Sequence, residues 1–382
     1  MIYYIGHYAD KTMIKKRHVY LSAVNKMEYI INVIDNLGYQ QKIISCSVSS
    51  QKSSDKANDI NIGLNSSVHY FKTYGRKNIF TKLIDYIFLP LRLFFYIVNN
   101  ISYNDKVIVY HSTYYSKIIK LTKKIKKFNL ILEVEEIYAD VEEKNKKRKK
   151  ELKNLLSADQ YIFPTKLLSE VVNVKNKPEI IVHGTYKVET QKISKLKYRQ
   201  LHNWDNDKYH IVYAGTFDHR KGGCIAIESV AFLPCNYHMH ILGFGSNEEV
   251  QRIKVLIKNI QKKSKATITY DGLLSGEDYI EFIQSCDIGL STQNPNAAFN
   301  ATSFPSKILS YLSNGLRVVS IRILAVEKSD VNVYVNYYDE QVPEQIAKAI
   351  ISVNLQSTYD SRTYITKLSK EFEQNLLKLL KN

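Results

Sequence analysis

Residues 211–223 read IVYAGTFDHRKGG: a β-branched and aromatic run that ends in a glycine-bracketed loop carrying two adjacent cations, Arg220 and Lys221. A short apolar run bounded by glycine indicates a buried strand. Small residues in the following loop let the backbone approach a ligand at the start of the next helix. The same alternation of apolar run, loop and longer amphipathic stretch recurs on both sides. Downstream, strands are predicted near 238–242, 267–270, 288–291 and 316–323. Upstream they are predicted near 2–5, 41–46, 68–71, 107–111, 130–135, 161–163 and 180–182, with helices between them, notably over 22–36, 79–99, 114–127 and 144–156. Such alternation belongs to βαβ units, so the expected fold class is α/β with two Rossmann-like parallel-sheet domains. The expected domains are 1–185 and 209–358, joined by a polar, weakly periodic linker over 186–208 and followed by a helix over 359–382 that packs back on the first domain.

The 382 residues are 45% hydrophobic and 24% charged, which excludes a disordered tail, a collagen-like fibre and a polytopic membrane protein. Four cysteines, Cys46, Cys224, Cys235 and Cys286, stand far apart without a CxxC pair, so neither a disulfide framework nor a structural zinc site is expected. A reducing cytoplasm fits this usage. The first residues, MIYYIGHYAD, lack the order of a signal peptide. The most apolar stretch, Tyr86 to Val98, contains Pro90 and Arg92, and as a helix it would span only about 20 Å of a hydrocarbon layer of about 30 Å.

The formal net charge is +17, and residues 1–190 hold most of it, with 31 basic against 18 acidic side chains. The densest cluster is Lys144, Lys146, Lys147, Arg148, Lys149 and Lys150. A solvated helix face and attraction to an anionic membrane surface or a phosphorylated acceptor both fit it. No nucleic-acid partner is expected, since no helix-turn-helix spacing, RNA-binding aromatic signature or zinc knuckle accompanies the charge.

Ligands of open parallel sheets collect beyond the carboxyl ends of the strands. In the second half, three loops meet that description. The first is Gly215 and Thr216 through Gly223, which reads as a tight turn or as a phosphate site. The second is Leu242-Gly243-Phe244-Gly245, where two glycines suit a strand-to-helix turn. The third, Asn294 to Gly315, places Pro305 at a helix start together with Ser303, Ser306 and Lys307. Free N–H groups, two hydroxyls and one ammonium at the positive end of a helix form an anion cradle. In the first half, His111 ends one strand and Glu133, Glu135 and Glu136 end the next, while Gly6, His7 and Tyr8 follow the first strand.

The order IVYAGTFDHRKGG, HILGFGSNEEV, ITYDGLL, IQSCDIGLSTQ and FPSKILSYLSNGLRVVS resembles the carboxyl-terminal domain of GT-B glycosyltransferases, specifically glycosyltransferase family four. In the first half, VIVYHS, LILEVEEIYAD and SADQYIFPTKLLSEVV leading to EIIVHG are similar to that family's weaker marks. The resemblance covers most of the chain and implies a GT-B fold, two Rossmann-like domains facing a cleft, with transfer of a sugar from a nucleotide-diphosphate donor. It implies that Lys221, assisted by Arg220, contacts the donor diphosphate, that Gly272 to Leu274 receive the base, and that Ser303, Ser306 and Lys307 hold the phosphates. Thr216 stands where the family often has arginine, and the family's two glutamates fall on Thr302 and Ser310. Glu135 or Glu136 falls near a family histidine that faces acceptor and donor sugar, where a carboxylate can orient the attacking hydroxyl.

The expected activity is therefore a hexosyltransferase of surface-polysaccharide synthesis. It uses a UDP-, GDP- or dTDP-sugar, works with retention and without a metal or tightly bound cofactor, and acts on a glycan or lipid-linked oligosaccharide acceptor. The expected place is the cytoplasm, peripherally on the inner face of the cytoplasmic membrane. The catalytic candidates are Glu136, Glu135 and His111; the donor-binding candidates are Gly215, Thr216, Arg220, Lys221, Gly243, Leu274, Ser303, Ser306, Lys307 and Ser310; Gly6, His7 and Tyr8 lie on the acceptor side. A GT-B sugar-nucleotide epimerase and a non-catalytic carbohydrate-binding subunit are the alternatives.

Overall fold

The computed structural model describes residues 1–142 and 145–381. It divides into two compact units: Met1–Thr185 joined by the chain from Glu371 onward, and Tyr186–Lys370.

The first unit contains β1 (Ile2–Gly6), β2 (Arg17–His18), β3 (Gln41–Ser45), β4 (Val48–Ser49), β5 (Asn58–Asn61), β6 (Ser66–Tyr70), β7 (Lys106–Tyr110), β8 (Asn129–Glu133), β9 (Gln160–Phe163) and β10 (Glu179–Ile181). Eight of them form one sheet in the order β10-β9-β8-β7-β1-β3-β6-β5, and β2 pairs with β4 alone. All pairs in the large sheet are parallel except β5 with β6. Helices cover both faces of such a sheet, so its central strands are apolar on both sides; Tyr4, Ile5, Ile43, Ile44, Val107, Ile108, Leu130 and Ile131 are all buried. The helix Leu21–Asn36 seats Val24, Met27, Ile30, Ile31 and Ile34 at helical spacing. The helix Ile79–Asn100, opened by an Asn78–Thr81 capping box, buries only the narrow stripe Asp85, Leu89, Leu93 and Ile97.

The second unit contains β11 (Tyr209–Thr216), β12 (Tyr237–Phe244), β13 (Thr267–Gly272), β14 (Ile288–Ser291), β15 (Arg317–Ile321) and β16 (Val335–Tyr338). They form a parallel sheet in the order β13-β12-β11-β14-β15-β16. This is the doubly wound order whose direction reverses between its first and fourth strands, which fixes the ligand crevice there. In the first unit the reversal falls between β1 and β7.

Several elements differ from expectation. Strands β5 and β16 were not foreseen. The 186–208 stretch belongs to the second unit and contains the helix Lys195–Leu201. It is held there by Arg199 and Lys195, which pair with Asp287 at 2.7 and 2.8 Å, and by Trp204 stacked on His240. The helix expected over 114–127 begins at Ser116. The one expected over 144–156 is Asn145–Leu155, and Lys144 lies outside the described residues. Among the described residues, no helix is long and apolar enough to cross a membrane.

Candidate functional site

In the second unit the crevice opens where β11 and β14 part. They pair only at Ile211 with Ile288 and at Val212 with Gly289. Beyond that point the Ala214 N–H donates to the Tyr311 hydroxyl at 2.9 Å. Tyr311 lies on the helix Ser306–Ser313, and its ring fills the space over Gly289, where an added Cβ would come within 2.3 Å of it. The loop after β11 is tied to the end of β14. Gly222 adopts φ +78°, an added Cβ there would stand 1.7 Å from the Thr292 carbonyl oxygen, and Thr292 Oγ1 donates to the Gly222 carbonyl at 2.8 Å. The Tyr213 hydroxyl donates to the Lys221 carbonyl at 2.9 Å, fixing the same loop from below.

Lys307 enters this crevice from the first turn of its helix. Its ammonium is buried and, among the described residues, has no hydrogen-bond partner. The nitrogen lies 4.0 Å from the centroid of the Tyr213 ring, and an added Cβ on Gly215 would stand 3.2 Å from it. Burial, with Lys221 nearby, lowers its pKa from 10.5 to about 7. A buried cation without a counter-charge is costly, and an anion seated over Gly215 at the positive end of the helix would relieve that cost.

At the strand ends of the first unit, Gly6 lies under the end of the Met27 side chain, whose sulfur would lie 2.6 Å from an added Cβ. His7 packs against the ring of Tyr115 with centroids 5.5 Å apart, and burial lowers its pKa to about 4, so it is neutral at physiological pH. Tyr8 is buried, and its carbonyl accepts from Ser45 Oγ at 2.6 Å. His111 Nε2 lies 2.8 Å from Glu151 Oε1, and that carboxylate also accepts the N–H groups of Tyr138 and Ala139 at 2.9 Å. The imidazole is thus built into the start of the Tyr138–Val141 helix. Glu133 is fully buried and bonded to the Tyr4 hydroxyl. Burial, with Glu135 beside it, pushes its pKa up to about 8. Glu135 Oε1 lies 3.4 Å from Lys26 Nζ, which donates to the Val182 carbonyl at 2.8 Å. Glu136 is half-buried.

No protein-family model matches the chain, and neither does any curated protein sequence. Solved structures do match it. The OtsA apo structure superposes with a TM-score of 0.72 at 11% identity, covering 100% of this chain and 99% of that one. The E. coli trehalose-6-phosphate structure bound with UDP-2-fluoro glucose gives 0.72 at 10% identity, covering 100% and 99%. The sucrose-phosphate synthase of Thermosynechococcus elongatus gives 0.69 at 12%, covering 100% and 98%. The chain has the GT-B fold. In this GT-B chain, Gly215, Gly243, Lys221 and Lys307 come together. Gly243 pairs with Gly215 across β11 and β12, and an added Cβ on it would lie 1.9 Å from the Gly215 carbonyl oxygen. Thr216 ends β11.

Two other expected donor-binding residues are engaged within the protein. The Arg220 guanidinium is bidentate on Asp218 at 2.8 and 3.2 Å, holding that carboxyl at about 2. Ser310 Oγ lies 3.2 Å from the Tyr279 hydroxyl. Ser306 is exposed, Ser303 is half-buried ahead of the helix, and Leu274 is half-buried in the loop after β13. Among the described residues, no group of three or more His, Cys, Asp and Glu side chains is arranged to hold a metal ion. Sequence reasoning missed Tyr213, Tyr311, Lys26 and Tyr4, because a buried tyrosine or lysine in a strand or helix looks like any other core or surface position until its hydroxyl or ammonium is placed.

Proposed function

We propose that the protein is a glycosyltransferase that moves a sugar from a nucleotide-diphosphate donor to a glycan acceptor. The observation that carries this reading is the ammonium of Lys307, buried without a hydrogen-bond partner among the described residues and set beside Gly215 at the reversal point of the second sheet. A diphosphate supplies the missing counter-charge there, joined by Lys221 and the helix start. The fold supports the reading, since the neighbours bearing it include a structure bound with UDP-2-fluoro glucose and synthases of trehalose and sucrose phosphates.

Within that reading, the sequence motifs favour a family-four-like hexosyltransferase of surface-polysaccharide synthesis, working at the cytoplasmic face of the membrane on a lipid-linked acceptor. Retention follows if the acceptor hydroxyl attacks the anomeric carbon on the face from which the diphosphate leaves. The C–O bond to the diphosphate breaks, the new glycosidic bond forms, and the hydroxyl proton passes to the departing diphosphate. Lys307 and Lys221 then stabilise the developing charge in place of a metal ion. Neutral His7 and the half-buried Glu135 and Glu136 offer hydrogen bonds to sugar hydroxyls on the acceptor side. The non-catalytic alternative draws on Ser310, which stands where the family has a glutamate and is engaged with Tyr279.

The test is a thermal-shift screen of UDP, GDP, dTDP and their sugars, in which a ligand at 100 times its Kd stabilises by about 2.7 kcal/mol. The donor found is then incubated with acceptors in excess EDTA, and the product is examined by NMR. A product that keeps the donor's anomeric configuration is expected. Binding with no transfer to any glycan or lipid-linked acceptor would favour the binding subunit, and an inverted anomer would overturn retention.

A further inference from the structure

The first unit contains a cavity of about 620 Å³ that the donor chemistry does not use. Its size is in the range of small-molecule sites, about 300–1,000 Å³. One end is formed by His7 and Cys46, immediately after β1 and β3, so it reaches the carboxyl ends of the central strands. The other end is walled by Ile79, Leu83 and Tyr86 of the helix Ile79–Asn100. These three side chains are themselves open to solvent, and the apolar surface continues along the helix through Ile87, Leu91 and Phe95. The neighbouring helix Ser116–Lys126 adds exposed Leu121 and Ile125. Large contiguous apolar surface is uncommon on a protein that meets only water.

The exposed charge at the mouth of this cavity is cationic. Arg76 and Lys82 line the cavity, and among the described residues neither makes an ion pair; Lys72 and Lys77 are exposed beside them. The two helices hold a single carboxylate between them, Asp85, which also lines the cavity. It is buried, accepts the Tyr74 N–H at 2.9 Å and faces Arg92 at 4.0 Å, so it does not offset the cations at the rim. An apolar cavity with unpaired cations at its mouth matches a ligand with an apolar chain and a phosphate.

We propose that this cavity binds a lipid phosphate, its isoprenoid or acyl chain running along the helix Ile79–Asn100, its phosphate at Arg76 and Lys82, and its head group toward His7. The inference rests on reading the first unit as the acceptor-binding one, and it gives the acceptor's carrier a site. It also moves the contact with lipid away from the Lys146–Lys150 run to the face bearing Leu83 and Phe95.

The experiment is calorimetry on the full chain with farnesyl phosphate, farnesol and inorganic phosphate as separate probes. Farnesyl phosphate is expected to bind at least tenfold more tightly than either of its pieces. Leu83→Arg, at an exposed position, and Arg76→Gln should each weaken farnesyl phosphate at least tenfold while nucleotide affinity stays as in the parent. Equal affinity for all three probes, or farnesyl phosphate binding untouched by both substitutions, overturns the proposal. Nucleotide binding without lipid phosphate binding overturns this inference alone. The reverse pattern keeps the cavity's ligand and overturns the glycosyltransferase reading.

Discussion

Replacing Lys307 with methionine should make the ligand-free protein more stable and its donor site weaker. The folded state holds the ammonium at a pKa of about 7 against the ordinary 10.5. The unfolded chain therefore binds more protons between those values, and the fold gives up stability as pH falls from 10.5 to 7. At about 1.4 kcal/mol per unit, the penalty reaches roughly 4 kcal/mol near pH 7 as an upper figure. Loss of the contact with the Tyr213 ring returns about 2 kcal/mol of that. Lys307→Met is thus expected to gain about 2 kcal/mol at pH 7 and progressively less toward pH 10, since methionine fills the lysine stem's space without a charge. Binding of the nucleoside diphosphate should weaken by about 1.5–3 kcal/mol, the worth of a charge-assisted hydrogen bond. Urea unfolding at pH 7 and pH 10, with calorimetric titration of UDP, GDP and dTDP, measures both quantities. The parent should also take up a proton from buffer on binding at pH 8, as the ammonium regains its charge, and the methionine variant should not. A destabilised variant with parental nucleotide affinity would refute the assignment of Lys307 as a cation held ready for an anion.

The other expectations concern the scaffold of the site and its response to pH. Gly222→Ala should destabilise by about 3 kcal/mol or more, because its Cβ would overlap the Thr292 carbonyl and its φ is +78°; a parental melting temperature would contradict the described joint between β11 and β14. His210, at a pKa of about 4, and His238, at about 2, are kept neutral chiefly by burial. Stability should accordingly fall as pH drops below 6.5, at up to about 1.4 kcal/mol per pH unit for each, and His238→Gln should flatten the acid limb of a melting-temperature profile. Glu133, raised to about 8, has the opposite sign: the fold loses stability as pH rises from 4.5 to 8. Glu133→Gln should be nearly neutral at pH 5 and stabilising at pH 9, and a destabilisation that grows with pH would show that a carboxylate is needed there.

The parallel sheets were legible because their strands, such as Ile211 to Ala214 and Leu130 to Leu132, are apolar on both faces and lie between glycine-bearing loops. Strand β5, Asn-Asp-Ile-Asn, was not, since an edge strand with one apolar residue has no periodicity to read. The 186–208 stretch read as a linker because its anchors are distant and mostly polar: Arg199 and Lys195 converge on Asp287, about ninety positions away. In the site, the helix-start position of Lys307 could be read from Pro305 and the serines. That its ammonium lacks a hydrogen-bond partner among the described residues, while Arg220 has one in Asp218, is a property of side-chain placement that no spacing encodes. Tyr213 and Tyr311 were legible as core residues; the bonds by which their hydroxyls brace the parting strands were not.

The first unit is completed by residues that the ribosome adds only after the whole of the second. Phe372 stacks on Tyr29 with centroids 5.4 Å apart, and Leu376, Leu379 and Leu380 are buried in the same closing turns, yet all of the second unit is synthesised before them. At the usual pace of roughly 5–20 residues per second, the growing chain holds an unfinished first unit for about 10–40 seconds while the second emerges. The order of birth and the order of completion are therefore reversed. The second unit closes from a contiguous segment, whereas the first waits with Tyr29 uncovered, the stage at which a nascent chain of this design most needs protection from its neighbours.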